Sequence, residues 1–222
     1  MPEEIYLSTV IETTGPVPGP YSMIGLATLA MDEEGKDVGV FEAGIRELPS
    51  AGAWHPSNER YWKHRRNERI RLQLERNAQD PIDAISAYVA WVRSLKGPNR
   101  VPVLTAWHSS QVYQWVNWYA VTYTTGSPLG FGAIDIKSQA QVFLGENFTN
   151  ITKDDIPESW RKNDGPPLSV LHKAKKQAHI FGKLLEARKL VQNELGLSKW
   201  LRECHGIPFR DSQAANQGSH QI

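Results

Sequence analysis

Cations and aromatic rings interleave between Glu59 and Arg76. Arg60, Lys63, His64, Arg65, Arg66, Arg69, Arg71 and Arg76 surround Tyr61 and Trp62, with Glu59, Glu68 and Glu75 as a partial offset. Such a stretch can follow a nucleic-acid backbone with its charges and stack bases on its rings. It equally describes an exposed amphipathic helix with one buried Trp. A second basic cluster, Lys173, Lys175 and Lys176, follows His172. Lysine is a point charge that pairs with phosphate, and the same run also fits an ordinary solvated helix face. Carboxylates are scarce in three long stretches. Glu12 is the sole acid between Glu4 and Asp32, none lies between Asp83 and Asp135, and none between Asp164 and Glu186. The chain carries no phosphate-cradling Walker loop, no His-Glu-x-x-His zinc pair and no Gly-x-Ser-x-Gly nucleophile turn.

The elements that must position these groups can be read from pattern. Ile5–Ile11, Met23–Met31 and Val38–Ile45 are β-rich runs, and the turn Glu33-Glu34-Gly35-Lys36 makes the last two a hairpin. Glu59–Arg76 reads as a single helix of imperfect period. Asp80-Pro81 supplies an N-cap and a first-turn Pro for a helix carrying Ile82, Ile85, Val89 and Val92, ended by Gly97-Pro98. Val101–Trp107 reads as a buried strand. Ser109 or Ser110 caps a helix with Val112, Trp115, Val116 and Tyr119, and Ala133–Ile136 is a short strand before another helical segment. Leu168–Leu195 is a long last helix. Trp107, Trp115 and Trp118 are expected in the core. Strands first, then strands alternating with helices, specify one α/β domain.

Composition narrows the classes. The 222 residues, 40% hydrophobic and 22% charged, suit one sizeable globular domain, and a formal net charge of +1 favours no polyanion partner by itself. The lone Cys204 excludes an internal disulfide and a Cys-based zinc site, which fits a reducing compartment. With no long apolar segment and no secretory pattern at Met-Pro-Glu-Glu, a cytoplasmic protein without a membrane span is expected. The sequons at Asn147 and Asn150 are read as chance. The domain is expected over 1–207, with a polar C-terminal tail over 208–222.

Three segments resemble the DEDDh (DnaQ-like, ribonuclease-H-like) 3′–5′ exonuclease superfamily, and its bacterial exoribonuclease-like members in particular. These are Ile11-Glu12-Thr13-Thr14-Gly15 with the Pro/Gly loop to Tyr21-Ser22-Met23; Val103–Trp107 with Trp118-Tyr119 and Gly130–Ser138; and Leu171-His172-Lys173-Ala174-Lys175-Lys176-Gln177-Ala178. The resemblance implies a ribonuclease-H-like mixed β-sheet with a three-stranded antiparallel meander and helices packed on it. In that family four carboxylates hold two Mg²⁺ or Mn²⁺ ions about 3.5–4 Å apart, and a His serves as general base. Carried over by position, the acids become Val10, Glu12, Val112 and Gln177, and the base is His172. Only Glu12 and His172 survive as vestigial catalytic residues, and Glu12 is also readable as a strand-end carboxylate with a structural hydrogen bond. No metal is expected, Glu12 being its ligand if any binds, and Mg or Mn enters only if activity remains.

Three functions stay open. The first is a protein that has lost two-metal cleavage and binds single-stranded DNA or RNA ends, or a protein partner, with Lys173, Lys175, Lys176, Arg65, Arg66 and Arg69 as the nucleic-acid contacts. The second is a working exonuclease with a reduced site, one metal on Glu12 with His172 and distant acids such as Asp135 or Asp164. The third is a pure protein-interaction module. The sequence leaves the oligomeric state open.

Overall fold

The computed structural model describes residues 2–162 and 164–194, with the side chains of 65, 66, 193 and 194 outside the description. The expected boundary at 207 and the tail beyond it therefore lie outside the described residues. Contacts divide the chain into a unit Met1–Lys183 and a second that begins at Leu184. The fold described below is that of the first.

Six strands form one sheet: β1 (Glu3–Thr13), β2 (Met23–Met31), β3 (Asp37–Ile45), β4 (Ala78–Gln79), β5 (Arg100–Ala106) and β6 (Ala133–Asp135). Their spatial order is β4-β3-β2-β1-β5-β6. The first three make the expected antiparallel meander, in which Val10 faces Ala27 and Glu12 faces Gly25. β5 then lies parallel to β1, with Leu7 beside Leu104, and β6 lies parallel to β5. Every residue of β2 is buried, as a central strand covered on both faces requires.

The helices are α1 (Pro56–Lys63), α2 (Arg65–Arg76), α3 (Pro81–Leu95), α4 (Ser109–Tyr123), α5 (Ile136–Leu144) and α6 (Val170–Glu194). One face of the sheet packs Leu7, Leu26 and Ala30 against Ile85, Tyr88 and Val89 of α3 and Trp115, Val116 and Tyr119 of α4. The opposite face packs Ile24 and Ala27 against Trp62 of α1, Ile70 and Leu74 of α2, and Val170 and Ala174 of α6. Asp80 caps α3 as expected, accepting from the Ile82 amide at 3.0 Å.

One helix expectation is corrected. Glu59–Arg76 is two helices, broken at His64, whose ψ of 125° is extended. In an unbroken helix Trp62 and Ile70 would be rotated about 80° apart, at 3.6 residues per turn. The break resets the phase, so Trp62, Ile70 and Leu74 all enter one cluster. Close backbone packing holds α2 in place: a Cβ at Gly44 would come within 2.5 Å of the Leu74 carbonyl oxygen. The cap of α4 also differs. Ser109 lies inside the helix, and its amide is received by Asp135 Oδ2 at 2.8 Å. Asp135 Oδ1 accepts from the Ser138 amide at 2.7 Å, so one carboxylate serves the starts of α4 and α5.

Candidate functional site

The motif around Glu12 is first a piece of architecture. Asn58 Nδ2 donates to the Thr13 carbonyl at 2.9 Å, and His55 N donates to the Thr14 carbonyl at 2.9 Å, tying the entry to α1 onto the end of β1. Thr13 Oγ1 donates to the Gly15 carbonyl at 2.8 Å, and Thr14 Oγ1 accepts from the Ser22 amide at 2.9 Å. Gly15 admits no side chain, since a Cβ there would meet the Tyr21 ring at 2.2 Å. These contacts hold the strand end, and with it Glu12, at the floor of a cleft of about 700 Å³.

The cleft brings together residues from six parts of the chain. Val10 and Glu12 come from β1, Tyr61 and Trp62 from α1, Trp107, His108 and Val112 from the β5–α4 junction, Lys137 from α5, and Gln177 from α6. The segment after α5 adds Thr149, Ile151, Thr152 and Lys153. Ile151 and Ile156, 2% and 1% exposed, anchor that segment in the core. A second hollow, lined by Ser57, Arg60, Tyr61, His64 and Asn67, shares Ser57 and Tyr61 with the cleft.

The four positions that the resemblance assigns to acids all line the cleft. Val10 packs beside the Trp62–Ala174 cluster and Val112 is buried, so neither offers a donor atom. Gln177 is buried and fully engaged. Its Oε1 accepts from the Trp107 amide at 3.1 Å, and its Nε2 donates to Ser8 Oγ at 3.2 Å and to the Thr9 carbonyl at 3.1 Å. Glu12 is 7% exposed and accepts a short hydrogen bond from Lys173 Nζ, which also donates to the Tyr61 hydroxyl at 2.9 Å. Burial pushes the Glu12 carboxyl up from its ordinary value while Lys173 pulls it back. Burial also opposes the charge on Lys173, yet Glu12 and then Tyr61 outweigh it and hold that ammonium above its usual value. With Lys173 charged at neutral pH, the two form an ion pair.

Helix spacing explains how α6 divides its polar residues. Lys173 and Gln177, four apart, share the face toward β1; His172 and Lys176, also four apart, share a different one. His172 Nε2 lies 3.0 Å from Asp164 Oδ1, at ion-pair distance but off the ring's N–H axis, and its Nδ1 accepts from the Leu168 amide at 3.3 Å. Lys176 Nζ contacts Asp164 at 3.0 Å and donates to the carbonyls of Lys162 and Gly165. The close approach of His172 first, then of Lys176, holds the Asp164 carboxyl well below the usual range. His172, Lys175, Lys176 and Arg69 do not line the cleft. The side chains of Arg65 and Arg66 lie outside the described residues.

Lys137, Lys153 and His108 are the cleft residues that sequence reasoning missed as a group. Lys137 is only 8% exposed and its ammonium lies 4.5 Å from the centroid of the Phe148 ring. Lys153 is exposed as a residue, but its ammonium sits 5.7 Å from the Trp107 ring centroid. Burial against the cleft wall lowers the Lys153 pKa, and Lys173 lowers it further. His108 is likewise lowered, first by burial. No periodic signal marks these residues, because they sit at a helix start and on loops.

The donor set does not fit the family's metal pair. Hard divalent cations need several oxygen ligands. The cleft has one carboxylate, already held by an ammonium, two valines, and an amide oxygen held by a backbone N–H. Among the described residues no group of three or more His, Cys, Asp or Glu could hold a metal ion.

The strand order, the meander and the cleft at the end of β1 define an exonuclease-type ribonuclease-H-like fold. Comparison with known proteins agrees. The chain is 28% identical over 204 residues, 85% of its length, to the 3′-5′ DNA exonuclease Cap18 of Escherichia coli, covering 97% of that protein. The nuclease domain of 3′hExo, a DEDDh family member solved with rAMP, superposes with a TM-score of 0.62 at 12% identity, over 83% of this chain and 92% of that one. Escherichia coli exonuclease I, solved in complex with ssDNA, superposes with a TM-score of 0.53 at 13% identity, over 90% of this chain and 43% of that one. No family model matches the chain. The chain thus has the fold of the DEDDh exonucleases and is similar in sequence to a 3′-5′ DNA exonuclease along most of its length. No helix among the described residues is long and apolar enough to cross a membrane.

Proposed function

We propose that this protein binds single-stranded nucleic-acid ends in its exonuclease cleft and has lost two-metal 3′–5′ cleavage. The observation that carries this reading is the Lys173 ammonium on Glu12. It supplies from within the chain the positive charge that a metal would bring to that carboxylate. A cation entering there must displace a buried, charge-assisted contact and finds no second carboxylate to share it. Val10, Val112 and the fully bonded Gln177 support the same reading. The exposed ring of Tyr61 in the cleft wall suits a stacked base. A cytoplasmic setting, consistent with the single cysteine, is part of this proposal.

The test is digestion of labelled single-stranded DNA and RNA in Mg²⁺ or Mn²⁺, beside binding measured by fluorescence anisotropy at two salt concentrations. Salt-sensitive binding without trimming is expected. Processive 3′–5′ trimming abolished by Glu12→Ala would overturn the reading. Absence of binding at low salt would favour a protein-interaction module instead.

A second reading, a working 3′–5′ exonuclease with a reduced site, is favoured by the near full-length similarity to a 3′-5′ DNA exonuclease. It requires Lys173 to leave Glu12. Titration calorimetry separates the two: the second reading demands divalent-cation binding at millimolar concentration or tighter, and the first predicts none.

A further inference from the structure

Lys137 lies in the cleft wall with its ammonium over an aromatic ring. It is 8% exposed, lines the cleft, and makes no hydrogen bond or ion pair among the described residues; its recorded contact is the face of the Phe148 ring. Lys153 lines the same cleft and likewise has no ion pair among the described residues. Removing an ammonium from water is costly unless an opposite charge meets it. A cation over an aromatic face recovers only part of that cost. Among the described residues the one carboxylate lining the cleft is Glu12, and Lys173 already contacts it. Lys137 and Lys153 thus face the cleft with no ion-pair contact of their own among the described residues.

We propose that Lys137 and Lys153 hold a terminal phosphate of a single strand, without a metal. This deepens the binding function above and rests on it. A phosphate inside a strand is a diester with one negative charge. A phosphate at a strand end is a monoester that carries close to two at neutral pH, its second pKa being about 6. Two ammonium groups in one cleft complement the second better than the first. The lowered pKa of Lys153 agrees, since burial and the neighbouring Lys173 disfavour its charge until an anion arrives. Trp107, beside Lys153, supplies an apolar face for the adjoining sugar or base.

The experiment compares short single strands with an internal fluorophore, bearing a 3′-phosphate, a 5′-phosphate or no terminal phosphate, by anisotropy in EDTA. One phosphorylated strand is expected to bind about tenfold tighter than the unphosphorylated one, as one added charged hydrogen bond implies. Which end is preferred gives the polarity of the bound strand. Lys153→Met, at an exposed residue, should erase the preference, and Lys137→Met should do the same. Equal affinity for all three strands overturns this inference while leaving strand binding intact. A preference that survives in Lys153→Met overturns it too. Failure of every strand to bind overturns both this inference and the function it rests on.

Discussion

Lys173 of α6 sets its ammonium against the carboxylate of Glu12 in β1, across 161 residues of chain. Both side chains are largely withdrawn from solvent, 16% and 8% exposed. The pair joins the helix to the strand at the floor of the cleft. The same lysine touches the Tyr61 hydroxyl, which ties in α1 as well.

Breaking this pair from one side should cost more than removing it whole. Lys173→Met strands a buried carboxylate, and a loss of about 3 kcal/mol is expected, at the lower end for severed buried pairs. The double variant Glu12→Gln/Lys173→Met should regain most of that loss. Urea unfolding of the four proteins in the cycle measures the coupling. A double variant as unstable as the sum of the singles would show that the two side chains do not act as a pair.

Gln177 should behave as a structural brace. Gln177→Glu keeps the acceptor for the Trp107 amide but replaces the amide donor that serves Ser8 Oγ and the Thr9 carbonyl. Oxygen then faces oxygen in a buried setting. The expected cost is about 1–3 kcal/mol, the range for an unsatisfied buried group. Thermal melts read it, and unchanged stability would deny the brace.

Lys137→Met should leave stability nearly unchanged. The substitution keeps an apolar chain of similar length against Phe148. A change within about 0.5 kcal/mol is expected in the absence of ligand, read by urea unfolding and accompanied by weaker binding of strand ends. A destabilised variant would mean that Lys137 serves the fold rather than the cleft.

His108 gives a pH readout inside the cleft. Burial holds its pKa below the ordinary 6.5, Asp135 opposes this, and Lys137 and Lys153 add to the lowering. The fold therefore favours the neutral ring. Its contribution to stability is full above pH 6.5 and is lost as pH falls through the lowered value. NMR of the ring should give a midpoint below 6.5, moving upward in Lys153→Met and on binding a phosphorylated strand. A midpoint at or above 6.5 in the unliganded protein would contradict this arrangement.

Much of the fold was legible because its signals are local. β-Rich runs located β1 to β3, and Asp80-Pro81 located the start of α3. The acid-free stretches showed that no shift in alignment could supply further carboxylates near the second and third motifs. The imperfect period of 59–76 was a true sign of the break at His64, though it was read as a single helix. The start of α4 was misassigned because its capping carboxylate, Asp135, comes from the neighbouring strand β6, 26 residues on.

What the sequence determined by itself was which donor atoms the motifs lack, since residue identity fixes that valine cannot bind a metal. Which charges meet was decided only by tertiary structure. Lys173 and Lys176 look alike in sequence, yet the helical step turns the first to Glu12 and the second to Asp164. Lys137 and Lys153 carry no shared motif, and become neighbours of one cleft because α5 and an isoleucine-anchored loop converge on the end of β1. Charges interact through distance in space, and chain folding alone sets that distance.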